Sequence, residues 1–72
     1  MSTGIIKFWS EKGFGFILVD DPEEGTPKEI FYHGSNSLDR VEMGERVSFL
    51  ISKNQRGPCA VQVRRIKSGN NG

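Results

Sequence analysis

Glycines and short polar clusters interrupt this chain about every ten residues, and the runs between them are brief and rich in β-branched and aromatic residues, the spacing of a small all-β sandwich or barrel. None of the gaps carries a sustained helical period. Five runs read as strands: residues 5–9, 14–19, 29–33, 46–51 and 59–66. A chain of 72 residues has apolar surface for one core only. The expectation is a single domain over residues 1–67 and a disordered tail over residues 68–72, which have nothing to bury.

Turn chemistry places the connections. Residues 20–28, with Asp20-Asp21-Pro22 and Thr26-Pro27, form an acidic loop without apolar anchors. In residues 34–44, Leu38, Val41 and Met43 predict one short helical turn. Asn54-Gln55-Arg56-Gly57-Pro58 reads as a connection in which Gly supplies unusual dihedrals and Pro ends pairing.

Charge and cysteine content narrow the function classes. Ten Lys and Arg stand against nine Asp and Glu, a net charge of +1, so no strong global field draws the chain to polyanions. Any affinity for nucleic acid must come from local charge and from stacking. Cys59 is the single cysteine and has no ligand partner at metal-binding spacing, which argues against a disulfide, a structural zinc and a nucleophile. No cofactor is expected, and the acidic loop lacks the ligand spacing of an EF-hand. No stretch is long and apolar enough to span a bilayer as a helix, and residues 1–4 do not open a signal peptide, so the reading is a cytoplasmic protein.

Strand side chains alternate between two faces, so parity sorts each run. Val47, Phe49 and Ile51 share a core face. Ile30 and Tyr32 do likewise, which puts Tyr32 in the interior with its hydroxyl reaching the rim. Phe31 instead travels with Glu29 and His33, and Phe14 and Phe16 travel with Lys12 and Asp20, opposite Gly15, Ile17 and Val19. Three phenylalanines on polar parities predict an exposed aromatic patch, which on a monomer marks a binding surface. In the first run, strict alternation puts Lys7 and Trp9 on one side and Ile6 and Phe8 on the other. A bulge near Phe8 would reverse the two aromatics.

Rings interleaved with Lys7, Lys12, His33 and Arg56 suit a single strand, because every base offers a π-face and every nucleotide a phosphate. Duplexes hide those faces. Lys12-Gly13-Phe14-Gly15-Phe16-Ile17 matches the Lys-Gly-Phe-Gly-Phe-(Ile/Val) motif of RNA-recognition and cold-shock domains. Glu29-Ile30-Phe31-Tyr32-His33 is similar to the second such motif, Asp-Val-Phe-Val-His. Gly4-Ile5-Ile6-Lys7-Phe8-Trp9 resembles the opening Gly-x-Val-Lys-Trp-Phe, Gly44-Glu45-Arg46-Val47-Ser48-Phe49 resembles Gly-Gln-x-Val-x-Phe, and Arg56-Gly57-Pro58-Cys59-Ala60 resembles Lys/Arg-Gly-Pro-x-Ala.

These motifs stand in the order of the cold-shock domain family, which the chain resembles over most of its length. The resemblance implies a five-stranded antiparallel OB-type barrel that binds single-stranded RNA and DNA with little sequence preference and loosens RNA secondary structure, as an RNA chaperone or a regulator of transcription or translation. It implies a binding face of Lys7, Phe8, Trp9, Lys12, Phe14, Phe16, Phe31 and His33, to which the connection adds Arg56. The departures are the inverted Phe8-Trp9 pair, Gly34 where many members carry a further stacking Phe, a short 34–44 segment without its usual aromatic, and a longer acidic 20–28 loop. They predict a narrower and weaker site. The expected oligomeric state is a monomer, with a weak dimer as the alternative.

An enzyme is not expected, because the lone His33 has no acid or nucleophile partner in sequence and no phosphate-cradling loop is present. The rival reading is a protein-interaction module using the same aromatic face.

Overall fold

The computed structural model of the chain describes residues 2–55 and 57–66. Five strands, β1 (Ser2–Ser10), β2 (Phe14–Val19), β3 (Glu29–His33), β4 (Arg46–Asn54) and β5 (Gly57–Arg65), close into a barrel in the order β1-β2-β3-β5-β4. Each neighbouring pair is antiparallel except β3 with β5, which run parallel through Phe31↔Cys59 and Tyr32↔Ala60. The expected wholly antiparallel barrel is therefore corrected at that one seam. The long connection from β3 back to β4 brings β5 alongside β3 in the same direction.

The predicted second and third strands fall on their observed bounds, and the other three are longer than alternation alone suggested. β1 begins at Ser2 because its first residues pair with β4 while Gly4 to Ser10 pair with β2. The β4–β5 ladder continues to Asn54↔Gly57, across the stretch read as a connection. Pro58 sits one residue into β5, where its missing N–H costs the ladder little.

Inside the barrel, Ile6, Ile17, Val19, Ile30, Tyr32, Val47, Phe49, Ala60 and Val63 form one core, with Trp9, Val41 and Ile51 packed against it. The parity expectations for β2, β3 and β4 hold. Gly15 lies within that interior because a methyl there would meet the Phe8 carbonyl oxygen at 2.5 Å and Tyr32 Cε1 at 2.8 Å. Tyr32 is wholly enclosed, and its hydroxyl is buried without a hydrogen-bond partner instead of reaching the rim. Burial raises the phenol pKa above its ordinary value.

Two bulges bend the sheet. In β1 the register steps from Ile6↔Ile17 to Phe8↔Phe16, leaving Lys7 as the extra residue. In β5 the step from Leu50↔Val61 to Ser48↔Arg64 gives β5 one more residue than β4, and Gln62 there has φ 51°, in the left-handed region. The short helical turn expected within residues 34–44 is a 3-10 turn over Gly34–Asn36, ahead of Leu38, Val41 and Met43, and it is held at its start by the His33 imidazole, which accepts from the Ser35 backbone N–H. Residues 20–28 form the predicted loop. Among the described residues, no helix is long and apolar enough to cross a membrane. The tail expected over residues 68–72 lies outside the described residues.

Candidate nucleic-acid interface

The β1 bulge decides which aromatic faces out. Inserting Lys7 shifts every later side chain of β1 by one step, so Phe8 takes the outer face beside Phe16 and Trp9 turns inward. Strict alternation had put Trp9 outside and Phe8 inside; the structure reverses both. Phe8 is 45% exposed, whereas Trp9 is half-buried and stacks on Tyr32 with ring centroids 5.7 Å apart.

Four phenylalanines then meet on the outer face of β1, β2 and β3. Phe8 lies 6.3 Å from both Phe14 and Phe16, and Phe31 lies 5.9 Å from each of the same two rings. The Phe14–Phe31 pair is stacked and the Phe16–Phe31 pair meets edge to face. Such contacts contribute about 0.5–1.5 kcal/mol per pair, so the rings hold one another in place while their free faces stay open to solvent. Register explains the grouping: Phe16 pairs with Phe8 on one side and Phe31 on the other, and Phe14 pairs with His33.

Polar groups frame the patch. The His33 Nδ1 accepts the Ser35 N–H at 3.1 Å and lies 2.8 Å from the Ser35 hydroxyl, which assigns the ring proton to Nε2 and leaves that edge as a donor beside Phe14. The exposed Lys12 stands in the β1–β2 turn. Lys7 donates to the Glu29 carboxylate at 2.5 Å, with both side chains about half exposed. Sequence reasoning missed this pairing, although Glu29 shares the face of Phe31 by parity. It also passed over Leu18, which continues the Phe14–Phe16 parity and is exposed next to Glu29. Arg56 lies outside the described residues. Of the remaining expected site residues, the structure groups all but Trp9 on this face or at its edge.

Among the described residues, no three of His, Cys, Asp or Glu are grouped to hold a metal ion. Cys59 is a free, half-buried thiol that accepts from Asn54 Nδ2 at 3.7 Å.

Comparison with known proteins agrees with this architecture. The family described as the 'Cold-shock' DNA-binding domain matches residues 2–66. Cold shock-like protein CspG of Escherichia coli strain K12 is 38% identical over 66 residues, 85% of this chain and 89% of that protein. The major cold shock protein of Streptococcus pyogenes serotype M18 is 34% identical over 71 residues, 92% of this chain and 98% of that one. The solved Drosophila Unr CSD456 structure superposes with a TM-score of 0.77 at 19% identity over 99% of this chain, a likeness of fold in which this chain spans 29% of that structure's length. With the barrel, the motif order and the relatives in agreement, the chain belongs to the cold-shock domain family, whose members generally bind nucleic acids.

Proposed function

We propose that this chain binds single-stranded RNA or DNA by stacking bases on Phe8, Phe14, Phe16 and Phe31. Lys12 and His33 contact the strand at the edge of the patch, and Lys7 does so after leaving Glu29. The observation that carries the reading is the cluster of four mutually packed rings on one solvent-facing sheet surface. Base–aromatic stacking contributes about 1–3 kcal/mol per base, so four platforms give useful affinity on a nearly neutral chain. Trp9 supports the platform from behind. Binding of this kind is sequence-tolerant and needs no bond chemistry, which suits an RNA chaperone that keeps hairpins from trapping themselves.

The test is fluorescence anisotropy of an end-labelled oligothymidine, with a matched duplex as control and a Phe14→Ala, Phe31→Ala double variant whose fold is checked by circular dichroism. Binding of the single strand, lost in the folded variant and absent with the duplex, is the expected result. Equal binding by the variant overturns the stacking reading.

The second reading, a protein partner on the same face, draws on Leu18 and Ile5, apolar neighbours that extend the patch beyond the rings. Salt separates the two. Phosphate neutralisation makes affinity fall steeply with added salt, and an apolar protein contact responds little.

A further inference from the structure

The aromatic row runs from Phe16 and Phe31 to Phe14 and His33 and then stops, because the next position is Gly34. At that end a cavity of about 500 Å³ opens, with Trp9, Tyr32, Leu38, Val41 and Arg40 in its walls. Its volume is in the range that holds a small organic ligand. Gly34 keeps it open, since a side chain there would run into Trp9.

Two properties of the walls point to one kind of guest. The half-buried indole of Trp9 with Leu38 and Val41 gives one apolar wall suited to a planar ring, facing a polar rim of Ser37, Asp39 and Arg40. The exposed Arg40 brings a guanidinium to the edge, the group best matched to a phosphate. The loop that forms the outer wall is already fixed to β5: the Leu38 N–H donates to the Val63 carbonyl at 2.8 Å, and the Arg65 backbone N–H donates to Asp39 Oδ2 at 3.0 Å.

Resting on the single-strand reading above, we infer that this cavity is a subsite for the nucleotide that follows the His33 end of the row. Its base inserts against Trp9 and Leu38 instead of lying flat on a platform, and its phosphate pairs with Arg40. The missing platform at Gly34 is thereby replaced by a half-open seat.

Isotope-labelled protein mixed with an oligothymidine heptamer tests this by nuclear Overhauser contacts, with anisotropy of a labelled heptamer measured in parallel. The expected result is contacts from thymine protons to the Leu38 methyls and the Trp9 indole. The Arg40→Gln variant, whose backbone carbonyl still accepts from Arg65, is expected to bind about three- to tenfold more weakly, with a salt slope lower by about 0.7. A heptamer that binds by anisotropy but contacts only the phenylalanine rings overturns the subsite and leaves the stacking reading standing. A heptamer that does not bind at all removes both.

Discussion

The Trp9 ring lies across the backbone of Gly34 so closely that a methyl group on Gly34 would sit 2.9 Å from Trp9 Cη2 and 3.3 Å from the Gly13 carbonyl oxygen. That carbonyl also accepts the Gly34 N–H at 2.8 Å, so the backbone has little freedom to retreat. Trp9 and Gly34 are therefore in direct packing contact, the ring occupying the space that a side chain at position 34 would need. Gly34→Ala is expected to destabilise the fold by about 1–3 kcal/mol through overpacking. Combining it with Trp9→Phe should recover part of that loss, so a double-mutant cycle in urea should show coupling above about 0.5 kcal/mol. Additive effects would mean that the ring and the glycine are independent.

Phe8 and Trp9 should separate cleanly in their effects. Phe8→Ala removes a solvent-facing ring and is expected to weaken oligothymidine binding by about 1–3 kcal/mol while changing stability by less than 1 kcal/mol. Trp9→Ala removes a ring stacked on Tyr32 and should cost about 2–4 kcal/mol of stability. Paired titration and denaturation curves on the two variants check the assignment, and the opposite pattern would place the bulge wrongly.

On the single-strand reading proposed above, Glu29 competes with the strand for Lys7. Both partners are about half exposed, so the pair adds little to folding and is screened by salt. Glu29→Gln should leave the melting temperature within a few degrees and tighten single-strand binding, with the log–log salt slope steepening by about 0.7 as one more cation becomes available to phosphate. Binding isotherms at several salt concentrations give both numbers.

Tyr32→Phe keeps the ring and deletes the unpartnered hydroxyl, so at neutral pH it is expected to stabilise the barrel by about 1 kcal/mol. The sign at high pH follows from the raised pKa. Above about pH 10 the unfolded phenol ionises while the folded one stays protonated, so the folded state holds more protons and stability falls as pH rises. Thermal melts between neutral pH and the alkaline range should show wild type losing more stability than the variant. Parallel curves would place the hydroxyl in contact with solvent.

Much of the aromatic face was legible because β2 and β3 alternate without interruption from Phe14 to Val19 and from Glu29 to His33, so counting by two separates Phe14, Phe16 and Phe31 from the core. β1 was not, because counting by two fails at an inserted residue, and nothing about Lys7 itself marks it as one. The adjacent Phe8 and Trp9 carried the available hint, since strict alternation would have buried one and exposed the other in the wrong order. Glu29 was visible by parity, but its partner is not, because Lys7 lies 22 residues away in sequence. The parallel β3–β5 seam and the seat beside Gly34 depend on how the 34–44 connection returns to the barrel, a long-range matter that local turn chemistry leaves open.

The parallel seam has a consequence for the order in which the molecule is made. All four rings of the patch come from the first 31 residues, within a meander whose neighbours in sequence are neighbours in space. That meander carries a bulge of its own at Lys7, but its edges are closed only by β4 on one side and β5 on the other, and Phe31 must wait for Cys59. Closing so long a loop is the slow kind of contact. A chain emerging from synthesis thus holds its rings before it holds the barrel that shapes them into a surface.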